Sequence, residues 1–154
     1  GIGVDLDRSS AAAARARGLK VTEGDLLDWL RSSADRSLAG VVSLQVIEHL
    51  AFRDLLELLS LARAKLLRDG VLVLETVNVS SCYTLAHGWL IDPTHRQRLH
   101  PELLRALALR AGFEHVQLRF DVPVPLEDRL ELEDGSPRLD WLFALQDVAL
   151  VARV

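Results

Sequence analysis

The feature that most constrains the fold is residues 39–50, a short apolar run that ends in a polar cluster. Residues 41–46 are rich in β-branched side chains and almost continuously apolar, which is typical of a strand covered on both faces of a parallel α/β sheet. Such sheets bind ligands beyond the carboxyl ends of their strands. Because Gln45, Glu48 and His49 lie at that edge, chemistry is expected there.

Composition indicates one soluble domain. The chain has 154 residues, of which 49% are hydrophobic and 26% charged, enough to build a single core. A net charge of −4 offers no general attraction to nucleic acid or to an anionic membrane. Cys82 is the only cysteine, which favours a reducing, cytoplasmic location and an ordinary loop thiol. No apolar run approaches the roughly 18 residues that a membrane span needs, and residue 1 does not begin a signal-peptide pattern.

The order of elements predicts a mostly parallel sheet. Residues 1–6 and 19–22 are expected to be strands joined by a helix that Asp7, Ser9 or Ser10 could cap. A sheet-covering helix begins near Phe52 and precedes a buried strand at 71–77, and another helix begins at Pro101 and ends before Gly112. Residues 113–122 and 146–154 are expected to form an antiparallel pair, with a polar insertion between them.

Several motifs together resemble one family. They are 46–50 (VIEHL), 67–75 (LRDGVLVLE), 1–7 (GIGVDLD), 23–26 (EGDL) and 92–95 (DPTH). The set resembles class I S-adenosylmethionine-dependent methyltransferases, and DPTH with the helix from Pro101 is similar to the branch that modifies bacterial surface polysaccharides. The resemblance implies a Rossmann-like α/β sheet, mostly parallel with a C-terminal antiparallel strand pair.

The resemblance also implies a set of cofactor-binding residues. Asp5 matches the carboxylate that accepts hydrogen bonds from the ribose hydroxyls of S-adenosylmethionine, and Leu6 would lie against the adenine. Asp25 matches the acceptor for the adenine amino group, with Leu26 beside the ring, and Gln45 falls near the methionine portion. The alternative for both aspartates is that each caps the helix that follows it.

Catalysis and substrate binding are expected from the segment 78–100, which has no clear periodicity but carries many polar and aromatic side chains. His49 and His95 are the candidates for a general base, each weighed against a structural role. Asp92, His95 and His100 are the predicted substrate-binding residues. Although His95 and His100 are close in sequence, no pair of Cys/His pairs occurs, so no metal site is predicted.

The expected function is methyl transfer from S-adenosylmethionine to a small polar acceptor such as a sugar or glycan hydroxyl. Partners are expected to be small-molecule or glycan substrates, without nucleic acid or membrane insertion. The alternatives are a nicotinamide-dinucleotide-binding domain, whose second strand also ends in an acidic residue, and a non-catalytic remnant of the methyltransferase fold.

The family's strand order predicts that one strand of the sheet is missing from residues 1–154. Class I methyltransferase sheets run 3-2-1-4-5-7-6, and residues 1–154 supply candidates for strands 2 to 7 only. The first strand and its glycine-rich loop are absent, so the domain is expected to be incomplete at its N-terminus. The predicted consequence is weak binding of S-adenosylmethionine by these residues alone.

Overall fold

The computed structural model describes residues 1–125, 128 and 144–154. The strands are β1 (Gly3–Asp5), β2 (Val21–Glu23), β3 (Leu38–Leu44), β4 (Leu66–Val77), β5 (Glu114–Asp121) and β6 (Asp147–Arg153). The helices are α1 (Arg8–Ala16), α2 (Leu26–Ser32), α3 (Phe52–Lys65), α4 (Cys82–Thr84) and α5 (Pro101–Arg110). A 3₁₀ turn spans Ile47–His49, and a π-helical turn spans Leu85–Trp89. The predicted insertion between β5 and β6 lies largely outside the described residues.

The strands form two sheets. β1 and β2 pair in parallel, while the second sheet has the order β3-β4-β6-β5. In that second sheet β3 and β4 are parallel, whereas β6 runs antiparallel to both β4 and β5. The predicted βαβ unit at the start of the chain and the antiparallel pair at its end are therefore confirmed. The second sheet is mixed rather than purely parallel because β6 runs opposite to both of its neighbours.

One face of the four-stranded sheet carries the core. Leu72 and Leu74 of β4 and Leu150 of β6 are fully buried there, since alternate residues of a strand point to the same face. Apolar side chains of α3 and α5 complete this cluster, among them Leu55, Leu59, Ala62, Leu104 and Ala108. Helix α2 packs against α3 and also contacts β1, which connects the two sheets.

The prediction that the strand of residues 41–46 is covered on both faces is wrong. The strand is β3, which ends at Leu44, and Val42 and Leu44 are 64% and 53% exposed. Their neighbours Val41 and Ser43 are half-buried on the core side. The apolar run correctly indicated a strand. It could not indicate coverage, because coverage depends on what packs against each face, and β3 lies at the edge of its sheet.

β1 and β3 do not pair with each other. Within the described part of the chain β1 pairs only with β2, and β3 only with β4. Each of these strands therefore has one edge that no other described strand occupies. In the same residues no helix is both long and apolar enough to cross a lipid bilayer.

Candidate functional site

A polar cluster lies where β3 and β4 end and β6 begins. Gln45 follows β3 with a positive φ of 53°, and its side-chain amide donates to Glu75 at 3.4 Å and to Asp147 at 3.1 Å. Burial raises the pKa of Asp147, and the negative charges of Glu75 and Asp121 act in the same direction. The amide of Gln45 thus bridges the carboxylates of Glu75 and Asp147 at the edge where ligands of such sheets bind.

The 3₁₀ turn after β3 carries a buried carboxylate. Glu48 is 1% exposed, and its Oε2 accepts a hydrogen bond from the Thr76 hydroxyl of β4 at 3.0 Å. The backbone carbonyl of Glu48 accepts from the amides of Arg96 and Gln97 at 2.7 and 3.0 Å. These two backbone bonds attach the segment after α4 to the turn and thereby bring His95 beside Glu48.

Two histidines, a tryptophan and an aspartate surround this turn. The rings of His49 and His95 lie 4.8 Å apart between centroids, and His95 also stacks on the buried Trp89 at 4.7 Å. His95 Nδ1 lies 3.1 Å from the carbonyl oxygen of Trp89, while its Nε2 lies 3.8 Å from Asp92 Oδ2. His49 Nδ1 lies 2.9 Å from the hydroxyl of Thr94. The structure therefore brings together His49, His95 and Asp92 from the predicted site.

The environment of Asp92 favours its ionised form. The hydroxyl and backbone amide of Thr94 donate to Asp92 Oδ1 at 2.6 and 2.8 Å. These hydrogen bonds lower the pKa of Asp92, and the nearby His95 and His49 add smaller effects in the same direction. The ionised carboxylate of Asp92, a hydrogen-bond acceptor, therefore lies beside His49 and His95.

The two aspartates near β1 have different roles. Asp7 is the N-cap of α1, since its Oδ1 accepts from the Ser10 amide at 2.7 Å, and the hydroxyl of Ser9 also lowers its pKa. Asp5 ends β1, and its Oδ1 accepts from the Asp7 amide at 2.8 Å. The cap of α1 is therefore Asp7, so Asp5 is not needed for that purpose. Leu6, between them, is 76% exposed.

Two further predicted site residues act as helix caps. Asp25 is the N-cap of α2, where its Oδ1 accepts from Leu27 and Asp28 amides at 2.8 and 3.0 Å. Leu26 packs against the core cluster. His100 is the N-cap of α5, where its Nδ1 accepts from the Glu102 amide at 3.3 Å. None of its described contacts joins His100 to Asp92 or His95.

The sequence did not indicate the roles of Thr76, Trp89 and Thr94. Thr76 binds a carboxylate from another segment, Trp89 supports His95, and Thr94 links Asp92 to His49. The polar end of β4 was a signal for Thr76. The Trp89 and Thr94 contacts join residues in an aperiodic segment, for which no regular pattern specifies neighbours.

Comparison with solved structures identifies the fold. A methyltransferase dependent on S-adenosylmethionine from Archaeoglobus fulgidus superimposes with a TM-score of 0.89 at 29% identity, over 99% of this chain and 75% of that one. The chain has the fold of S-adenosylmethionine-dependent methyltransferases. The predicted enzyme class and the predicted cofactor are those of its structural neighbours, and the methyltransferase-like α/β fold is confirmed.

Two more distant structures show the same fold. A methyltransferase from Thermotoga maritima, described as a possible histamine N-methyltransferase, matches with a TM-score of 0.74 at 21% identity, over 99% of this chain and 72% of that one. The 1,6-didemethyltoxoflavin-N1-methyltransferase of Burkholderia thailandensis, with bound 1,6-didemethyltoxoflavin and S-adenosylhomocysteine, matches with a TM-score of 0.61 at 16% identity. The match covers 99% of this chain and 60% of that one. No family model matches the sequence, and no curated protein matches it.

Proposed function

We propose that the protein transfers a methyl group from S-adenosylmethionine to a hydroxyl of a small polar acceptor such as a sugar or glycan unit. The observation that carries the proposal is the fold match at a TM-score of 0.89, combined with a titratable cluster at the carboxyl ends of β3 and β4. A hydroxyl acceptor needs removal of a proton, and histidine is suited to accept one near neutral pH.

The cofactor would lie along the carboxyl ends of the strands. Asp5 would accept hydrogen bonds from the ribose hydroxyls, and the exposed Leu6 would contact the adenine. Asp25 would accept a hydrogen bond from the adenine amino group while still capping α2 through Oδ1, and Leu26 would lie beside the ring. Gln45 would face the methionine portion. An ionised carboxylate suits the ribose because it offers only acceptor sites.

Methyl transfer from a sulfonium is a direct displacement, so most of the catalysis would come from positioning. His95 is held by stacking on Trp89 and by the carbonyl of that residue, with Asp92 nearby. His49 is held by Thr94. His95 or His49 would accept the proton of the acceptor hydroxyl, while Asp92 and His100 would bind the substrate.

We also propose that a further β-strand, from outside residues 1–154, lies between β1 and β3. Three observations support it: β1 and β3 do not pair with each other, each has an edge that no other described strand occupies, and Val42 and Leu44 are more than half exposed on a face that the helix of an added βα unit could cover. The observed orders β2-β1 and β3-β4-β6-β5 correspond to 3-2 and 4-5-7-6 of the family's sheet. An added strand at the centre would complete that order and join both sheets.

The additional strand can be tested by lengthening the chain. A segment of about 40 residues, one βα unit, placed before Gly1 should raise both thermal stability and affinity for S-adenosylhomocysteine. A scrambled segment of the same composition is the control. Tight cofactor binding by residues 1–154 alone, or a crystal structure in which β1 and β3 pair directly, would contradict the proposal.

The chemistry can be tested by following S-adenosylhomocysteine release from the lengthened chain in the presence of sugar and glycan acceptors. We expect S-adenosylhomocysteine to be released only when an acceptor is present. Release should be lost in His95→Asn and retained in the surface variant His115→Asn. If only amine-bearing acceptors are methylated, the hydroxyl assignment is wrong. If the chain binds cofactor yet methylates no acceptor of either kind, the non-catalytic alternative is favoured. Cytoplasmic location and the absence of nucleic-acid partners stay predictions.

A further inference from the structure

The neighbourhood of Glu48 contains three groups that can each offer a lone pair. One potential ligand atom from each of Glu48, His49 and His95 lies within 4.8 Å of the other two. Glu48 and His49 come from the turn after β3, whereas His95 comes from the segment before α5. The backbone bonds from Arg96 and Gln97 to the carbonyl of Glu48 hold these two segments together. The three side chains are therefore positioned by the fold of the chain.

Hydrogen bonding determines which nitrogen of His95 is free. Its Nδ1 lies 3.1 Å from the carbonyl oxygen of Trp89, and a carbonyl can only accept. Nδ1 therefore carries the proton, and in the neutral ring Nε2 carries the lone pair. An imidazole fixed in this way, with one nitrogen donating to a carbonyl, is the usual arrangement of a metal-binding histidine.

Hydrogen bonding also determines which nitrogen of His49 is free. Its Nδ1 contacts the Thr94 hydroxyl at 2.9 Å, and that hydroxyl donates its single proton to Asp92 Oδ1 at 2.6 Å. The Thr94 oxygen must then accept from His49, so His49 Nδ1 carries the proton and Nε2 has the lone pair. Both histidines are consequently held in the tautomer that exposes Nε2 as an acceptor.

Glu48 contributes a buried carboxylate oxygen that no donor in the cluster satisfies. One of its oxygens accepts from Thr76, but Oε1 is buried and has no hydrogen-bond partner among the described residues. When the two rings are neutral in the tautomers described above, neither Nε2 can donate to it, and Asp92 places a second carboxylate oxygen 3.8 Å from His95 Nε2. A buried, unpaired carboxylate is costly unless a cation or a donor satisfies it.

We propose that Glu48, His49 and His95 form a binding site for a divalent transition-metal ion. Two imidazole nitrogens and one carboxylate oxygen are ligands that Mn²⁺, Fe²⁺, Co²⁺ and Zn²⁺ accept, and such a set leaves coordination positions open. With metal–ligand bonds of about 2.0–2.2 Å, the ligand atoms of a tetrahedral site lie about 3.3–3.6 Å apart, so side chains whose ligand atoms are up to 4.8 Å apart would close by roughly an ångström on binding.

The open positions would take oxygen ligands. For the methyl transfer proposed above, that ligand would be the acceptor hydroxyl, whose proton a bound cation makes easier to remove. This extension rests on the proposed function, whereas metal binding itself does not. With a metal bound, His49 and His95 would be ligands in place of the general-base role proposed above, and the carboxylate of Asp92 beside them would accept the proton of the acceptor hydroxyl.

The test is calorimetric titration of the metal-free chain with Mn²⁺, Co²⁺ and Zn²⁺, together with thermal unfolding. We expect one ion per chain, and a loss of affinity of at least about tenfold in Glu48→Gln, His49→Asn and His95→Asn, since even supporting residues around metal sites have effects of that size. The variant His115→Asn, which alters an exposed histidine of β5 and keeps a residue type suited to its positive φ, should bind like the parent chain.

A second readout separates metal binding from a structural role of Glu48. Without metal, Glu48→Gln should be at least as stable as the parent, because its oxygen can accept from Thr76 and its amide can donate to a histidine Nε2 where the carboxylate oxygen Oε1 has no donor. With metal, only the parent and His115→Asn should gain thermal stability. Lower stability of Glu48→Gln without metal, equal affinity of all variants, or a loss of binding only in His115→Asn would overturn the proposal. Metal binding without methyl transfer would leave the site intact and refute only the proposed function.

Discussion

Asp5 and Asp7 lie two residues apart, yet the structure gives them separate roles that can be tested as a pair. Asp5→Asn keeps an oxygen that can accept from the Asp7 amide, a bond of 2.8 Å, so the turn after β1 should be preserved. The substitution removes the negative charge offered to the ribose hydroxyls. Hydrogen bonds to charged groups are worth about 1.5–3 kcal/mol, so affinity for S-adenosylhomocysteine should fall about 10- to 150-fold.

Asp7→Ala is the matched control. It removes the N-cap that accepts from the Ser10 amide at 2.7 Å, so it should lower the midpoint of thermal unfolding while leaving the dissociation constant within about twofold. Both variants are compared by calorimetry in the chain that carries the additional upstream strand, and by thermal unfolding without ligand. An unchanged dissociation constant in Asp5→Asn, or an equal loss of affinity in both variants, would refute the assignment of Asp5 to the cofactor.

Three other predictions concern stability. Trp89→Ala should cost about 3 kcal/mol in urea unfolding, because it empties a buried ring position, whereas Leu90→Ala, at a side chain 65% exposed, should change little. Because burial raises the pKa of Asp147, the folded state holds the proton of this carboxyl group more tightly than the unfolded state does. The free energy of unfolding should therefore decrease as pH rises from about 4 through the raised pKa. Asp147→Asn should flatten that decrease. Val42→Lys should be nearly neutral in residues 1–154 and clearly destabilising in the chain with the upstream strand, where the side chain becomes covered.

Each of these predictions has a contradicting outcome. Equal effects of Trp89→Ala and Leu90→Ala would mean that Trp89 does not stabilise the segment around His95. A pH profile of Asp147→Asn that matches the parent would assign the slope to other groups, with the exposed Asp69→Asn as the comparison. If Val42→Lys has the same effect in both lengths of chain, the open face of β3 is not where upstream residues pack.

The regular elements were predictable because local patterns determine them. Pro101 at the start of α5 and Gly112 just after its end mark that helix in the sequence, and the structure places it at Pro101–Arg110. The apolar run of residues 41–46 likewise indicated a strand. It could not indicate coverage, because burial of Val42 depends on which other segments pack against that face.

The candidate site was predictable in its location but not in its contacts. His49 and His95 were both candidates, and the structure places their rings 4.8 Å apart. Their bonds to Thr94 and to the Trp89 carbonyl depend on the path of an aperiodic segment, which propensity and periodicity do not specify. Spacing along the chain therefore did not reveal a cluster that combines Glu48 and His49 with His95.

The measurement that tests the central claim most directly is a pair of calorimetric titrations of the lengthened chain, one with S-adenosylhomocysteine and one with NAD. We expect one S-adenosylhomocysteine to bind per chain, with affinity reduced in Asp5→Asn, and no measurable heat from NAD. Binding of NAD without binding of S-adenosylhomocysteine would contradict the proposed cofactor and favour a nicotinamide-dinucleotide-binding domain.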